Sequence, residues 1–217
     1  MSLIIIGDQH SIANQFLNQI RDKHMQQDRM RFRKNMERMG EVMAYEISKK
    51  LDYTECLVNS PLATLKSVQL QSQPIIITVL RAGLVYFQGF VNYFDESDAG
   101  FIGAYRKEGG EEIKVNLEYL ATPSLEGREV ILVDPMLATG KSIIRSVTAL
   151  LGHGRPSHMH IAALIASPEG VKYVQENIQL PYTLWTFAVD EKLDSRFYIV
   201  PGLGDAGDLS FGQKLSS

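Results

Sequence analysis

The segment from Val130 to Ser142 carries residue types suited to binding a charged ligand. A short apolar run ends at Asp134, and a loop of mostly small residues then leads into an apolar pattern of helical spacing. Open α/β sheets bind ligands at the carboxyl edge, and the N–H groups at a helix N-terminus attract anions. The segment therefore predicts a site for a phosphate monoester. Its candidate residues are Ala138, Thr139, Gly140, Lys141 and Ser142.

The spacing within this segment excludes one familiar nucleotide site. Gly140-Lys141-Ser142 matches the end of the P-loop pattern, which also requires a glycine five residues before its last glycine. That position is Pro135, which has no N–H to offer a phosphate. An NTPase of the P-loop type is excluded. A carboxylate such as Asp134 beside a single phosphate cradle suits the hydroxyl groups of a ribose.

The surrounding pattern indicates how these residues are positioned. Short, nearly continuous apolar runs alternate with helical patterns, which is typical of a parallel sheet covered on both faces. The predicted strands are 74–80, 101–105, 129–134, 158–165 and 182–188, and the predicted helices are 84–94, 141–151 and 169–177. Upstream, Ser11 caps a first predicted helix, and a second spans roughly residues 30–51. Residues 108–119 are interpreted as an excursion or a hairpin. We expect a single domain over residues 1–217.

Composition narrows the class of protein. The net charge is −3, which argues against a general binder of nucleic acid. The single cysteine, Cys56, excludes a disulfide framework and a Cys-rich zinc site, and we expect it to be a small buried hydrophobe. Neither a basic leader nor a membrane-spanning apolar stretch is evident, so we expect a cytoplasmic protein without a membrane partner.

Three segments in order carry a family resemblance. The Asp134-Pro-Met-Leu-Ala-Thr-Gly140 sequence resembles the fingerprint of the type I phosphoribosyltransferases, in the form found in the uracil phosphoribosyltransferase family. Leu80-Arg-Ala-Gly-Leu84 follows the first core strand, as it does in that family. The tail from Tyr198 to Asp208 is similar to a segment highly specific to it.

The resemblance implies a fold, an activity and partners. The fold is α/β: a mostly parallel twisted sheet flanked by helices, with a helical N-terminal segment and a flap hairpin. The activity is transfer of a phosphoribosyl group from phosphoribosyl pyrophosphate (PRPP) to N1 of uracil, giving UMP and pyrophosphate in pyrimidine salvage. The implied cofactor is Mg²⁺, and the implied assembly is a homo-oligomer, a dimer or larger. The methionine-rich face of the second helix is the expected contact surface.

The resemblance also implies residue roles, with Asp134, Asp205 and Arg81 as the catalytic set. Arg81 contacts pyrophosphate, and Arg106 belongs to the PRPP site. The ribose and the 5′-phosphate are held by Asp134, Pro135, Met136, Leu137, Ala138, Thr139, Gly140, Lys141 and Ser142. The uracil-binding residues are Ile199, Gly204, Asp205 and Ala206, and Asp205 also faces the metal and pyrophosphate. The glycines of this tail fit the role, because they let the chain wrap a flat ring.

Alternatives remain at this stage. Arg81 can also be a surface ion pair, and Asp208 is interpreted as a turn or cap residue. The chain departs from the family at Lys141, where a second glycine is usual, and at Leu209, where a basic residue is usual. A non-catalytic regulator of the same fold that binds a uracil nucleotide is the alternative function, with the basic stretch 29–38 available for RNA. A transferase acting on another base is a third hypothesis.

Overall fold

The computed structural model describes residues 2–107 and 114–214. Its strands, in chain order, are β1 (Ser2–Ile5), β2 (Tyr53–Asn59), β3 (Thr64–Leu70), β4 (Ile75–Leu80), β5 (Ala99–Lys107), β6 (Lys114–Ala121), β7 (Glu129–Val133), β8 (Met136–Leu137), β9 (His158–Ala162), β10 (Ile165–Ala166), β11 (Tyr182–Thr186), β12 (Ala188–Val189), β13 (Lys192–Leu193) and β14 (Ile199–Val200). Its α-helices are α1 (Ile12–Arg21), α2 (Arg29–Ser48), α3 (Gly83–Val91), α4 (Lys141–Leu150), α5 (Pro168–Asn177) and α6 (Ala206–Phe211).

Seven strands form the central sheet, in the order β1-β11-β9-β7-β4-β5-β6. All neighbouring pairs are parallel except β5 and β6. From β4 the chain runs outward to β5 on one side, and from β7 outward to β9 and β11 on the other. The crevice between the carboxyl ends of β4 and β7 is therefore the topological switch point, where open α/β sheets bind ligands.

Both faces of the sheet are covered, which explains the apolar strands. Ile76 and Ile131 point into a core shared with α1, α2 and α3, whereas Ile75, Ile77 and Leu132 point into a core shared with α4 and α5. Successive strand residues alternate between these two cores, so neither set can be polar. The predicted mostly parallel α/β fold with a helical N-terminal segment is confirmed.

The structure corrects two expectations about surface and core. Met36, Met39 and Met43 of α2 are fully buried within the chain, so the methionine-rich face cannot be a contact surface, and that prediction is wrong. Cys56 is only half-buried, because it lies on β2 rather than in a core, so its expected burial is also wrong.

Two hairpins project from this frame. Strands β2 and β3 form an antiparallel hairpin of their own, which the sequence analysis did not predict. Strands β5 and β6 pair antiparallel at the edge of the central sheet, where the flap hairpin was predicted, and residues 108–113 between them lie outside the described residues. Within residues 2–107 and 114–214, no helix is long and apolar enough to span a membrane.

A polar cluster lies inside the amino-terminal end of the sheet. Trp185 donates its Nε1–H to Nδ1 of the buried His160 at 3.1 Å, and Nε2 of that histidine lies 3.2 Å from a Glu129 carboxylate oxygen. The His158 ring lies beside the His160 ring, tilted by 51° with the centroids 4.8 Å apart, and its Nε2 lies 3.0 Å from the Thr183 hydroxyl. Burial, together with charge repulsion from His160, lowers the pKa of His158 below its usual 6.5. Burial is the largest single influence on Glu129 and would raise its pKa, but the hydrogen bond from His160, the charges of His160 and His158 and a hydrogen bond from Ser157 together outweigh it, so the pKa falls below 4.5.

These two shifts predict acid-sensitive stability. The unfolded chain protonates His158 near pH 6.5 and Glu129 near 4.5, before the folded chain does, so the free energy of unfolding falls as the pH drops through that range. We expect His158→Gln to flatten the part of the decline nearest neutral pH, measured by urea unfolding at several pH values. The exposed His10→Gln is the control and should leave the decline unchanged. An unaltered profile in His158→Gln would contradict the assignment.

Candidate active site at the switch point

Arg81 and Asp134 emerge side by side at the switch point. Arg81 follows the last residue of β4, and Asp134 follows the last residue of β7. These strands are paired in register, with Thr78 opposite Val133. The Thr78 hydroxyl donates to the Val133 carbonyl at 3.3 Å, which ties the two strand ends together. The short connection from β4 to α3 that contains Arg81 and Ala82, called the Arg81 loop below, therefore shares one edge of the sheet with the phosphate-binding loop predicted from sequence.

The carboxylate of Asp134 closes the turn into the phosphate loop. Its Oδ1 accepts a hydrogen bond from the Met136 N–H at 3.2 Å, and its own N–H donates to the Ala162 carbonyl at 3.1 Å. The chain then forms β8, which pairs with β10 in a small parallel sheet beyond the edge of the main one. This small sheet lies over the strand ends, so that Asp134 is half-buried, and it sets the direction in which the chain enters the phosphate loop, residues 138–142.

Ser167 and Gly170 brace the phosphate loop from behind. The Ser167 hydroxyl donates to the Ala138 carbonyl at 2.6 Å and accepts from the Gly170 N–H at 2.9 Å. The Ser167 N–H donates to the Leu137 carbonyl at 2.9 Å. A Cβ on Gly170 would stand 2.2 Å from the Ala138 oxygen, so only glycine allows the loop to pack this closely.

The loop ends at the N-terminus of α4. Gly140 occupies the N-cap with a φ of +75°, a conformation that favours glycine. Because glycine has no side chain to cap the helix, the first-turn N–H groups face the loop along with the positive end of the helix dipole. Thr139, Lys141 and Ser142 are all partly exposed around this point. The arrangement can bind a phosphate through backbone N–H groups, hydroxyls and one lysine.

The glycine-rich tail approaches the same edge from the C-terminal side. Strands β13 and β14 pair as a short antiparallel ladder, and the chain then turns through Gly202 and Gly204, at φ of +62° and +91°, into α6. Asp205 is the N-cap of that helix, and its Oδ1 accepts from the Asp208 N–H at 2.9 Å. Gly204 is exposed, whereas Ile199 and Ala206 are buried.

Arg81 joins the tail to the switch point. Its Nη2 lies 3.1 Å from a carboxylate oxygen of Asp208 and 3.5 Å from the Gly212 carbonyl. A Cβ on Gly207 would lie within 4 Å of Ala82, Arg81 and the Asp205 carboxylate, so these four residues are immediate neighbours. The segments of Asp134 and Asp205 thus both border the Arg81 loop. Arg81 does form the ion pair considered from sequence, and Asp208 lies in the first turn of α6.

The matched family and relatives agree with this geometry. The family model described as "Uracil phosphoribosyltransferase" matches residues 7–213. A protein of that name from Porphyromonas gingivalis is 45% identical over 216 residues, covering 99% of this chain and 100% of the relative. One from Limosilactobacillus fermentum is 38% identical over 208 residues, covering 94% and 96%.

The chain belongs to the uracil phosphoribosyltransferase family. A solved structure, that of the AQ2163 protein from Aquifex aeolicus, superposes with a TM-score of 0.86 at 29% sequence identity, covering 97% of this chain and 98% of that one. The family resemblance read from the three sequence motifs is confirmed.

Two assignments that the resemblance implied, Arg106 in the PRPP site and a Mg²⁺ ion near Asp205, are only partly addressed by the structure. Arg106 lies on β5 opposite Val115, and its place in the PRPP site stays a prediction. Within residues 2–107 and 114–214, no cluster of three or more His, Cys, Asp or Glu side chains could hold a metal ion. One carboxylate, Asp205, fits a Mg²⁺ ion that brings its other ligands from substrate phosphates and water, which is how Mg²⁺ is often held.

The sequence assigned no role to several residues that support the phosphate loop and the tail. Ser167 and Gly170 brace the phosphate loop, and Arg21 pairs with Asp190 beneath the tail. A usable signal existed for one of them, because Ser167 followed by proline is a common way to begin a helix. The Arg21–Asp190 pair joins residues 169 positions apart, which no local pattern can reveal.

The close packing of Gly170 makes a specific prediction. Gly170→Ala should lower the free energy of unfolding by about 1–3 kcal/mol, because the new methyl group would overlap the Ala138 and Leu137 carbonyls. Gly152→Ala is the matched control, since its Cβ would meet nothing within 4 Å. Urea unfolding of both variants measures the difference. Equal stability of the two would show that the phosphate loop is not braced at Gly170.

Proposed function

We propose that this chain transfers the phosphoribosyl group of PRPP to N1 of uracil, forming UMP and releasing pyrophosphate. One structural observation supports this beyond family membership: the phosphate loop and the glycine-rich tail both border the Arg81 loop. A sugar phosphate and a flat base bound to these two segments would lie next to each other across the switch point. That proximity is what a group transfer between them requires.

In this proposal the phosphate loop holds the sugar end of the substrate. The 5′-phosphate binds at the N-terminus of α4, among the N–H groups of residues 138–142 and the hydroxyls of Thr139 and Ser142. The Asp134 carboxylate accepts hydrogen bonds from the ribose hydroxyls. One carboxylate oxygen already accepts the Met136 N–H, which fixes the orientation of the group before the sugar arrives.

Arg81 and Asp205 serve the pyrophosphate end. A guanidinium group is well suited to phosphate oxygens, and Arg81 lies half-exposed at the crevice where it can exchange Asp208 for a phosphate. We propose Mg²⁺ as the cofactor, held by the substrate phosphates with Asp205 as the protein ligand nearest to it. The ion neutralises charge on the departing pyrophosphate when it is bound.

The tail supplies the base site. Uracil is small, neutral and planar, so its edge is best matched by fixed backbone N–H and carbonyl groups. Ile199, Gly204, Asp205 and Ala206 present such groups around a turn that positive φ values at Gly202 and Gly204 make sharp. In the reaction the C1–oxygen bond to pyrophosphate breaks, the C1–N1 bond forms, and the N1 proton of uracil is released.

The regulator hypothesis gains no support from the basic stretch 29–38. Arg33 donates to the Ser210 carbonyl at 3.1 Å, and Lys34 pairs with Glu37 at 2.9 Å. Arg38 donates to Asn35 and stacks over the Phe16 ring. These side chains are engaged within the chain, which reduces their capacity to bind RNA.

We also propose a homo-oligomer, on different grounds from the sequence analysis. The β2–β3 hairpin exposes large apolar side chains: Leu57 is 70% exposed, Val68 63% and Leu62, at the turn, 97%. Exposed apolar surface of this kind marks sites of protein association. A cytoplasmic location stays a prediction.

The direct test is an assay with purified protein, labelled uracil, PRPP and Mg²⁺. We expect UMP to form, with orotate, hypoxanthine and adenine giving no nucleotide and with EDTA stopping the reaction. Folded protein that forms no UMP would contradict the proposal. A product from another base instead of uracil would support the third hypothesis, and salt-dependent RNA binding without turnover would support the regulator.

Arg81→Ala tests the pyrophosphate assignment. A hydrogen bond to a charged group contributes about 1.5–3 kcal/mol, so kcat/KM for PRPP should fall roughly 10- to 100-fold. Arg128→Ala is a matched control, because Arg128 forms a similar half-exposed ion pair, with Asp98, at the opposite edge of the sheet. Steady-state kinetics at varied PRPP measures both. Unchanged kinetics in Arg81→Ala would remove Arg81 from the site.

Asp205→Asn separates charge from structure at the metal-facing position. Asparagine caps a helix as well as aspartate does, so the fold should persist while kcat falls by roughly 100-fold from the lost charge. Asp28→Asn is the control, since Asp28 caps α2 through the same type of bond, at 3.0 Å. Unfolding and turnover are both measured. Activity near the wild-type level in a folded Asp205→Asn protein would refute the assignment.

A further inference from the structure

A buried ion pair lies directly beneath the tail. Arg21, the last residue of α1, donates to both carboxylate oxygens of Asp190, at 2.7 and 2.8 Å. The Asp190 side chain is only 6% exposed and that of Arg21 19%. Asp190 follows β12, and its N–H donates to the Ala166 carbonyl at 2.8 Å, so the pair is anchored to the small parallel sheet as well as to α1.

Both partners also hold the backbone of Gly202. Arg21 donates to the Gly202 carbonyl at 3.1 Å, and the Gly202 N–H donates to Asp190 at 2.9 Å. The three residues form a closed ring of hydrogen bonds that fixes both the N–H and the carbonyl group of Gly202. Gln26 adds a neighbouring contact, because its amide, in the orientation that satisfies its hydrogen bonds, donates to the Leu203 carbonyl at 2.9 Å.

Gly202 lies within the segment proposed to bind uracil, so the ring of contacts bears on base recognition. It lies three residues after Ile199 and two before Gly204, in the middle of the segment proposed to bind uracil. Backbone groups can discriminate a base edge only if the turn that carries them is rigid, and a shift of about 1 Å is enough to cost a large part of a reaction rate. Charge-assisted, bidentate hydrogen bonds are the strongest that side chains can supply for this purpose.

We propose that Arg21 and Asp190 are positioning residues for the pyrimidine, acting through Gly202 on the backbone that the base contacts. The inference rests on the proposed function and assigns to the N-terminal helix a part in base recognition. Neither side chain touches the base. We expect their effect to fall more on uracil than on PRPP, because the phosphate loop is held by Ser167 through contacts that do not involve this pair.

The test compares the two substrates in variants that preserve size. In Asp190→Asn, kcat/KM for uracil should fall about tenfold or more, whereas KM for PRPP changes less than about threefold. Arg21→Lys keeps the positive charge but loses the planar fork, so its loss should be intermediate. Asp98→Asn and Arg128→Lys, which alter the ion pair at the opposite edge of the sheet, should change neither quantity.

Two kinetic results would overturn the inference. One is an unchanged kcat/KM for uracil in a folded variant, and the other is an equal loss for uracil and PRPP, which would indicate only a structural role. Should Asp190→Asn fail to fold, Arg21→Lys alone decides between these results and the expected one.

Hydrogen exchange supplies a measurement that needs no substrate. Amides of residues 199–207 should exchange faster in the variants than in the wild type, while those of residues 138–142 stay unchanged. Equal exchange in variant and wild type would overturn the inference. Failure of the wild type to form UMP would instead contradict the proposed function, and exchange would still decide whether the pair orders the tail.

Discussion

The parallel pairing of β4 with β7 places Arg81 and Asp134 side by side, and the rest of the candidate site is arranged around them. Because Thr78 and Val133 are paired and the two strands run the same way, the chain must leave the sheet at adjacent points, first at Arg81 and later at Asp134. Helix α3 begins just beyond Arg81, and α4 begins after β8 and the phosphate loop that follow Asp134. The pairing in turn depends on apolar side chains on both faces, which bury the strands between two helical layers.

The site is built more from backbone than from side chains. In the proposed site, N–H groups at the start of α4 bind the sugar phosphate, and a turn through two glycines at positive φ binds the base. Groups of this kind have little freedom to adjust, so their geometry must be set by contacts behind them. Ser167 does this for the phosphate loop and the Arg21–Asp190 pair for the tail. On this proposal, selectivity depends on where the backbone is held, and the side chains that hold it do not contact the substrates.

The sequence predicted the parts of the fold in which a local pattern reports burial or capping. The apolar run 74–80 was predicted as a buried strand and forms β4, and Ser11 does cap α1 through the Ala13 N–H. The β2–β3 hairpin was missed because most of its residues are exposed on both faces, which leaves no alternation to detect. The methionines of α2 were misassigned, because an apolar helix face looks the same whether its own core or a second subunit covers it. Pairs such as Arg21 and Asp190 depend on tertiary proximity alone.

A crystal structure of the protein with UMP tests the central claim most directly, since the product spans both halves of the proposed site. The account predicts the 5′-phosphate within about 3 Å of N–H groups in residues 138–142, the ribose hydroxyls at Asp134, and the pyrimidine edge on the backbone of Ile199 and residues 204–206. UMP bound with its base away from the tail, or with its phosphate away from the start of α4, would contradict it.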